Sequence, residues 1–305
     1  MQTTQEAQQA LQPKPDRKKW LAFAAAMATV IVWASALPAS RYALRAYSPE
    51  AIMPLRFLVA CATLIAIGIL KKIRLPQKED IPLFIFGGFV GIFMYMWLFN
   101  TGTRTVVSGV TGFILASSPV FTLILSILIL KEKVSLISWL GAGISFAGLI
   151  IVMMTQAEGF VPNLGAFILV LAAIVASGHN IIQRKILKRY TALEASTYCV
   201  IAATIFMLAF LPTLVREMPH AGLSVNLIVV YLGVSPTAMG YFLWGYALSK
   251  AEKTAYVAVF LYLIPFVSSI MAFFWLGETF SAWALLGGIV IVAGMVMTSY
   301  WGSKR

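Results

Sequence analysis

Charged side chains are scarce in this 305-residue chain: Asp, Glu, Lys and Arg make up 11% of the residues, whereas hydrophobic residues make up 60%. Soluble domains carry roughly a quarter charged residues, so the composition excludes a water-soluble globular protein. The abundance of apolar residues also excludes a disordered chain. The net charge is +12. On so apolar a chain, this basic excess indicates a membrane protein with Lys and Arg on its cytoplasmic side, and no nucleic-acid partner.

Cysteine and histidine are also scarce, with two of each, and no acidic residue lies in the middle of an apolar run. Cys61 and Cys199 lie in apolar runs and form neither a disulfide framework nor a metal-ligand spacing, so we expect no metal and no cofactor. All eleven acidic residues lie in tails, connections or helix ends. This distribution argues against a carboxylate-based proton or sodium site inside the membrane, and it permits passive exchange or facilitated export.

Long apolar runs fill most of the chain. A membrane-spanning helix needs about 20 mostly apolar residues. The windows that meet this requirement are ten: 20–37, 51–70, 83–99, 106–130, 136–154, 164–182, 195–215, 223–248, 254–276 and 282–301. We therefore predict an all-α membrane protein with ten transmembrane helices. The connections are too short to hold a soluble domain, so any function must lie inside the helix bundle.

The first window has an alternative interpretation. Its basic start, its apolar run and Ala34-Ser35-Ala36 resemble a signal peptide with a small-residue cleavage site. The run is long for the core of a signal peptide, and the internal repeat described below requires this helix. We therefore expect it to be retained as the first span.

Lys and Arg are distributed unevenly between the connections. With ten spans and a cytoplasmic N-terminus, 18 of the 23 basic residues lie in inner segments and four in outer ones. The remaining one, Arg56, lies inside the second window. Because short cytoplasmic segments are enriched in Lys and Arg, we predict that both termini are cytoplasmic.

The chain contains an internal repeat. Shifted by 146 residues, 115–148 aligns with 261–294 without a gap, and ten of the 34 positions are identical. The identical residues in the first half are Leu115, Pro119, Ile124, Leu130, Glu132, Ser135, Leu140, Gly141, Ala147 and Gly148. Further upstream, the same shift pairs Tyr95 with Tyr241. Each half has five helices, an odd number, so the second half enters the membrane in the opposite orientation.

Inverted repeats of this kind are typical of secondary transporters, which bind substrate near the midplane between the repeats. The predicted organisation is a polar cytoplasmic tail at 1–19, a first five-helix repeat at 20–154, an outer linker at 155–163, a second five-helix repeat at 164–301 and a cytoplasmic tail at 302–305. Small residues on the fifth and tenth helices allow close packing. This packing is expected within a monomer, and a homodimer face is the alternative.

The sequence resembles the EamA-type drug/metabolite transporters over residues 20–301. The resemblance rests on Val32-Trp33-Ala34-Ser35, on Pro54-Leu55-Arg56-Phe57 and on a Pro, Glu, Ser, Gly, Gly pattern in both halves. It implies a ten-helix, two-repeat bundle around a central cavity, lined mainly by helices 1, 3, 4, 6, 8 and 9. Members of the family export amino acids, aromatic ones among them, and other metabolites. The sixth helix departs from the family pattern at Ser177-Gly178-His179-Asn180.

Polar and aromatic residues deep in the windows are the candidate substrate contacts. They are Trp33, Tyr95, His179, Asn180, Tyr241 and Tyr262. Aromatic walls suit amphipathic or aromatic substrates through stacking and cation–π contacts. His179 could relay a proton or contact a substrate carboxylate, because imidazole titrates near neutral pH. The alternative is a hydrogen-bonded histidine with a packing role.

Three further residues are candidates for structural or gating roles. Arg56 lies near the outer end of its helix, where it could snorkel to the interface or hold the repeat together by pairing with carbonyls or an acid such as Glu50. Pro119 and Pro265 occupy matched positions, and proline bends a helix. The two bends could act as hinges for opposing gates or could be static kinks that shape a cavity.

These features predict a multi-pass carrier of the bacterial inner membrane that exports small metabolites by alternating access. Amino acids, including aromatic ones, are the leading substrate class, and this choice rests on the resemblance together with the aromatic candidates. An exporter of lipophilic cationic drugs is the alternative. An intramembrane enzyme or a channel is more remote, because neither catalytic motifs nor a filter motif occurs in the sequence.

Overall fold

The computed structural model describes residues 17–102, 114–154, 164–276 and 282–301, and these residues form helices without a strand among them. We label the helices α1 (Arg17–Ala43), α2 (Pro49–Lys71), α3 (Lys78–Gly102), α4 (Ser118–Leu130), α5 (Leu136–Met154), α6 (Leu164–Ile186), α7 (Ala192–His220), α8 (Gly222–Lys250), α9 (254–276) and α10 (282–301). Helices satisfy their backbone hydrogen bonds internally, as lipid requires.

Within the described ranges, five helices are long and apolar enough to cross a membrane by length and composition, namely α2, α3, α6, α7 and α8. Shorter apolar stretches of 10–17 residues are Trp20–Ala36, Ser118–Leu130, Leu136–Ile151, Thr254–Ser268 and Leu285–Val296. Many large apolar side chains face outward, as expected of a surface solvated by lipid. The described residues therefore have the architecture of an all-helical, multi-pass membrane protein.

Local sequence signals set the ends of several helices. The Ser48 hydroxyl accepts a hydrogen bond from the Ala51 amide at the start of α2, and Lys72 ends the same helix in the left-handed conformation. Thr191 and Glu194 form a reciprocal capping box at the start of α7. These side chains satisfy amide groups that a helix terminus leaves without partners.

Helices α5 and α10 pack closely and run antiparallel. A Cβ on Gly141 would lie 2.7 Å from the Gly294 carbonyl oxygen, and one on Gly148 would lie 2.7 Å from the Gly287 oxygen. Between these contacts, the Ser145 hydroxyl donates to the Ile291 carbonyl at 3.1 Å. Ser145 and Ile291 are themselves 146 residues apart. The same shift of 146 residues converts the Gly141–Gly294 contact into the Gly148–Gly287 contact. These contacts therefore relate α5 and α10 by a local pseudo-two-fold axis.

One end of the bundle carries a polar cluster that joins the α2–α3 and α6–α7 connections. Asp80 accepts hydrogen bonds from Arg189 at 2.7 Å and from the Tyr190 hydroxyl at 2.8 Å. Arg74 pairs with the buried Glu194 at 3.2 Å. The Glu194 carboxylate holds the pKa of the Arg74 guanidinium above its ordinary value through this hydrogen bond.

The α4–α5 and α8–α9 connections also meet. The Glu132 carboxylate accepts hydrogen bonds from the Thr254 amide at 3.0 Å and from its hydroxyl at 2.9 Å, at the start of α9. An anion is favourable there because the helix N-terminus carries unpaired amides. Arg184 donates to the Ala251 and Glu252 carbonyls at 2.7 and 2.9 Å. Glu278, the repeat mate of Glu132, lies outside the described residues.

The α1–α2 and α7–α8 connections meet at the opposite end of α2. Tyr47 donates a short hydrogen bond to Asn226, and the Ser48 amide donates to Glu217 at 2.7 Å. The connections that follow even-numbered helices thus contact one another at one end of the bundle. The two connections that follow α1 and α7 contact each other at the opposite end. Successive helices that cross the bundle in alternating directions must produce this arrangement.

Helices α3 and α8 share an irregularity. Each contains a π-helical segment, Phe89–Met94 in α3 and Gly233–Met239 in α8. The two segments overlap when shifted by 146 residues. Pro236 lies inside the second segment, and its missing amide explains the irregular winding there. Such bulges widen one turn and redirect side chains, and they occur frequently at functional sites.

The windows 106–130 and 254–276 place the two matched prolines in mid-helix, whereas the structure places each in the first turn of a regular helix. Pro119 is in the first turn of α4, directly after a turn at 116–117. Pro265 is in the first turn of Leu263–Leu276, after a 3-10 turn at Val259–Tyr262. A proline lacks an amide and crowds the carbonyl four residues earlier. The regular helix therefore restarts at each proline instead of bending at it.

Two apolar clusters flank the centre of the bundle. One includes Leu149, Trp244 and Tyr262 and joins α1, α4, α5, α8 and α9. The other includes Phe57 and Met207 and joins mainly α2, α3 and α7. Trp33 packs against both clusters, so α1 connects the two sides of the molecule.

The α5–α10 contact can be tested with a pair of glycines on one helix. Leucine at Gly141 would collide with Gly294 and Thr298, whereas a Cβ on Gly143 meets nothing within 4 Å. We expect Gly141→Leu to destabilise the protein by about 1–3 kcal/mol, seen as a lower melting temperature in detergent. Gly143→Leu should melt like the wild type. Equal melting temperatures for the two variants would contradict the packing described.

Candidate functional site

A cavity of about 190 Å³ lies at the centre of the bundle. Its wall comes from α1, α2, α3, α6, α8, α9 and the start of α4. The lining residues are Trp33, Ala36, Ser40, Arg56, Gly91, Tyr95, Met96, Phe99, Leu115, Ala116, Ser118, Ala176, His179, Asn180, Tyr241, Leu261, Ile264 and Pro265. The wall thus includes the six helices that the family resemblance implied and adds α2 through Arg56.

Five of the six predicted substrate contacts lie in this wall, and Tyr262 is the exception. Tyr262 has no exposed surface and packs edge-on against Phe146 of α5, with ring centroids 6.3 Å apart. The 3-10 turn at Val259–Tyr262 changes the direction of successive side chains, and Tyr262 points into the apolar cluster. Pro119 is also absent from the wall, whereas Pro265 lines it.

Trp33 holds α1 against the π-helical segment of α8. Its indole N–H donates to the Pro236 carbonyl at 2.9 Å. Its ring lies 6.0 Å from Tyr241 and 5.4 Å from Trp244, measured between centroids. Gly240 leaves the space that the indole occupies, because a Cβ there would collide with it. The polar group of Trp33 is therefore used within the protein, and its ring forms part of the aromatic wall.

Asn180 has both ends of its amide engaged. Its nitrogen donates to the Thr122 hydroxyl at 3.1 Å, and its oxygen accepts from the Trp244 indole N–H at 2.8 Å. All three residues are buried. The side chain therefore joins α4, α6 and α8, and its polar atoms are already used by the protein where the sequence alone suggested a substrate contact.

His179 is 5% exposed, and neither of its ring nitrogens has a hydrogen-bond partner among the described residues. The ring lies against the π-helical segment of α3, where Gly91 leaves room for it, and 5.7 Å from the Tyr241 ring. His179 is 146 residues from Trp33, so the two residues occupy equivalent positions in the two halves. Trp33 of the first half contacts the π-helical segment of α8, and His179 of the second half contacts that of α3. Trp33 is hydrogen-bonded there, and His179 is not.

Arg56 is the one charged side chain among the described residues that line the cavity. Its Nε donates to the Thr237 hydroxyl at 2.6 Å, and the same hydroxyl donates to the Leu232 carbonyl at 2.8 Å. The alternative pairing with Glu50 is not observed, and among the described residues no carboxylate lies within ion-pair distance of Arg56. Tyr95 and Tyr241 are close enough to interact with the guanidinium electrostatically.

The wall is therefore chemically uneven. Arg56, His179, Tyr95 and Tyr241 provide polar groups, as do the hydroxyls of Ser40 and Ser118. Met96, Phe99, Leu115, Leu261 and Ile264 provide apolar surface. No Asp or Glu is among the described lining residues, and the described part of the chain contains no cluster of His, Cys, Asp and Glu that could hold a metal. Such a site suits a small amphipathic molecule with an anionic group.

Sequence reasoning missed Thr237 and Trp244, which position Arg56 and Asn180. Both lie on α8, a helix whose Pro236 signalled an irregular backbone. No periodic pattern could indicate which side chains the π-helical segment would turn toward the cavity.

Comparison with known proteins agrees with this architecture. Residues 20–154 and 163–300 each match the model of the EamA-like transporter family. The fold and cavity define a multi-pass membrane protein of the transporter class. Because the two matches cover most of the chain, this protein belongs to the EamA-like transporter family, a group within the drug/metabolite transporters.

Several relatives match over most of their length. The chain is 34% identical to the "Uncharacterized transporter YdfC" of Bacillus subtilis (88% of this chain, 87% of the relative). It is 33% identical to the "Probable terminal-alkyne amino-acid exporter" of Streptantibioticus cattleyicolor (88% and 90%). It is 24% identical to the "Probable amino-acid metabolite efflux pump" of Salmonella typhimurium (90% and 93%). A solved crystal structure with 19% identity superposes with a TM-score of 0.79 over 93% of this chain and 98% of that one, so the two share a fold.

The amide network of Asn180 can be tested by a double-mutant cycle. Asn180→Ala and Trp244→Phe each remove one partner of a buried hydrogen bond, which leaves the other unsatisfied at a cost of about 1–3 kcal/mol. We expect the double variant to lose less stability than the sum of the single losses, because both changes remove the same bond. Melting temperatures of the purified variants measure this. Additive losses would show that the two residues act independently.

Proposed function

We propose that this protein is a secondary transporter that exports small metabolites, chiefly amino acids including aromatic ones, by alternating access around the central cavity. The observation that carries the proposal is the cavity itself. It lies between the two halves, combines an aromatic and apolar wall with a few free polar groups, and is about 190 Å³ in volume. Two relatives carry names that mention amino-acid export.

We further propose ten spans arranged as two inverted five-helix repeats, with both termini in the cytoplasm of a bacterium and the bundle in its inner membrane. Three observations support this arrangement. Helices α5 and α10 are antiparallel around Ser145 and Ile291, and the π-helical segments of α3 and α8 are matched. The connections that pair at one end, together with the helix ends next to them, carry twelve of the 23 basic residues.

Alternating access requires the two halves to move relative to each other around the site. The irregular segments of α3, α8 and α9, together with Pro265, interrupt regular hydrogen bonding beside the cavity. Interrupted helices that border a cavity are a common feature of transporter sites. Trp33 of α1 and His179 of α6 occupy equivalent positions in the two halves and contact the π-helical segments of α8 and α3, so we assign them to opposite sides of the moving interface.

The alternative of a lipophilic cationic drug as substrate is less well supported. The cavity is smaller than the roughly 300–1,000 Å³ typical of pockets for drug-sized ligands. The charged group that the described residues contribute to it, Arg56, is positive and would repel a cation. The remote alternatives of an enzyme or a channel lack any catalytic arrangement or charged ring among the lining residues.

Reconstituted protein provides the functional test. Proteoliposomes preloaded with unlabelled L-phenylalanine should accumulate external labelled L-phenylalanine, and the uptake should saturate with external concentration, because a carrier exchanges bound substrate across the membrane. The panel should also include other amino acids, a sugar and a lipophilic organic cation. Linear flux without counterflow would favour a channel, and accumulation of the organic cation alone would favour drug export.

The same preparation tests the contribution of His179. The His179→Ala variant should lose most of the counterflow or change its pH dependence, whereas His220→Ala, at an exposed position near the end of α7, should behave like the wild type. If both variants match the wild type, His179 has only a packing role.

The topology has a separate test. In a background with Cys61→Ala and Cys199→Ala, a cysteine replacing Lys78 should react with a membrane-impermeant maleimide only after the cell membrane is opened. A cysteine replacing His220 should react in intact cells. Both positions are exposed, and they lie at opposite ends of the bundle. The reverse pattern would invert the proposed orientation, and labelling of both in intact cells would contradict the span count.

A further inference from the structure

Arg56 has spare hydrogen-bonding capacity in a place where a cation is costly. A guanidinium carries five N–H donors, and the bond to Thr237 uses only the one on Nε. The side chain is half-buried and faces the cavity. Charged side chains inside a membrane bundle pair with other groups or mark a ligand pathway. No acid of the described residues pairs with Arg56, so its terminal amino groups remain available to a ligand.

The orientation of Arg56 is held by α8. Thr237 belongs to the π-helical segment, and its hydroxyl both accepts from Arg56 and donates to the Leu232 carbonyl five residues earlier. This second bond directs the hydroxyl lone pairs toward the guanidinium. The two-bond arrangement holds Nε and leaves the terminal amino groups free to form the fork that carboxylates recognise.

The surrounding groups extend the same site. Tyr95 and Tyr241 line the cavity near Arg56, and no hydrogen bond within the described residues uses either hydroxyl. His179 is nearly fully buried, lacks a hydrogen-bond partner and lines the same wall. The part of the lining that the structure describes thus offers several hydrogen-bond donors and one fixed positive charge, and it offers no carboxylate to bind an ammonium group.

Resting on the proposed export of small metabolites, we propose that Arg56 binds the carboxylate of the substrate, and that this carboxylate, more than an α-amino group, determines recognition. The substrate class is then small carboxylates with an apolar or aromatic body, including the 2-oxo acid counterparts of amino acids. The apolar side of the wall, with Phe99 and Leu261, takes the body of the molecule. Thr237 is a positioning residue that acts through Arg56.

The first test uses the wild-type protein and needs no variant. Binding of L-phenylalanine, phenylpyruvate and L-phenylalaninamide is measured by intrinsic tryptophan fluorescence in detergent, and transport by counterflow in proteoliposomes. We expect phenylpyruvate to bind within a fewfold of L-phenylalanine, and the amide to bind at least about tenfold more weakly, because it lacks the charge-assisted pair. Equal binding of acid and amide would overturn the assignment.

The second test uses variants of the two residues. Arg56→Gln should weaken phenylpyruvate binding at least about tenfold, and Arg56→Lys should retain part of it, because it keeps the charge and loses the fork. Thr237→Val should weaken binding severalfold and Thr237→Ser should not. Arg45→Gln is the matched control, since Arg45 is an exposed arginine in the α1–α2 connection. Unchanged acid binding in a monodisperse Arg56→Gln protein would refute the role.

The outcomes separate this inference from the proposed function. Counterflow of L-phenylalanine that is equally strong for the amide would leave amino-acid export standing and remove the carboxylate site. Arg56-dependent exchange of phenylpyruvate without exchange of any amino acid would support the carboxylate site and contradict amino-acid export. Competition by millimolar chloride to the same extent as by phenylpyruvate would show that Arg56 binds an inorganic anion only, and would overturn the proposal.

Discussion

The structure depends on the requirement that polar groups buried in a bilayer find partners within the protein. The backbone meets it by forming helices, and most polar side chains near the centre meet it through specific bonds. Trp33 bonds to a carbonyl of α8, Asn180 joins Thr122 to Trp244, and Thr237 bonds in two directions. Among the described residues, buried side-chain atoms without a hydrogen-bond partner remain on His179, Gln183, Thr197 and Tyr262, and of these only His179 lines the cavity. Arg56 lines the cavity as well, with only its Nε bonded. The candidate site is therefore the part of the bundle where unused polar groups border open space.

The same requirement explains the irregular helices. A π-helical or 3-10 segment weakens regular backbone bonds, which lipid would penalise, yet the segments of α3, α8 and α9 lie beside the cavity or against neighbouring helices. In return they place side chains that a regular helix would direct elsewhere. Thr237 reaches Arg56 because of the segment in α8, and Gly91 and Gly240 leave space for His179 and Trp33. Backbone irregularity and site chemistry thus arise at the same positions.

Several features could be predicted from the sequence because each depends on composition or period. Apolar runs indicated the helices, and five of the site residues were found from polar or aromatic side chains deep in those runs. Small residues on the fifth and tenth helices indicated the close packing of α5 against α10. Tyr262 and Pro119 lie outside the cavity wall, because sequence depth along a helix does not reveal the direction of a side chain when a turn or a 3-10 segment changes the winding just before or at that position.

The sequence by itself determined that this is a helical membrane protein of the EamA type with an internal repeat and almost no charge within its spans, since hydrophobicity and matched residues are properties of the chain order. Only the tertiary structure decided which polar groups are already used and which remain free. Asn180 and His179 look alike as neighbouring polar residues in one apolar run, yet Asn180 is fully hydrogen-bonded and His179 is not. Their difference depends on whether neighbouring helices bring partners within about 3 Å, and that distance is set by packing between helices far apart in the sequence.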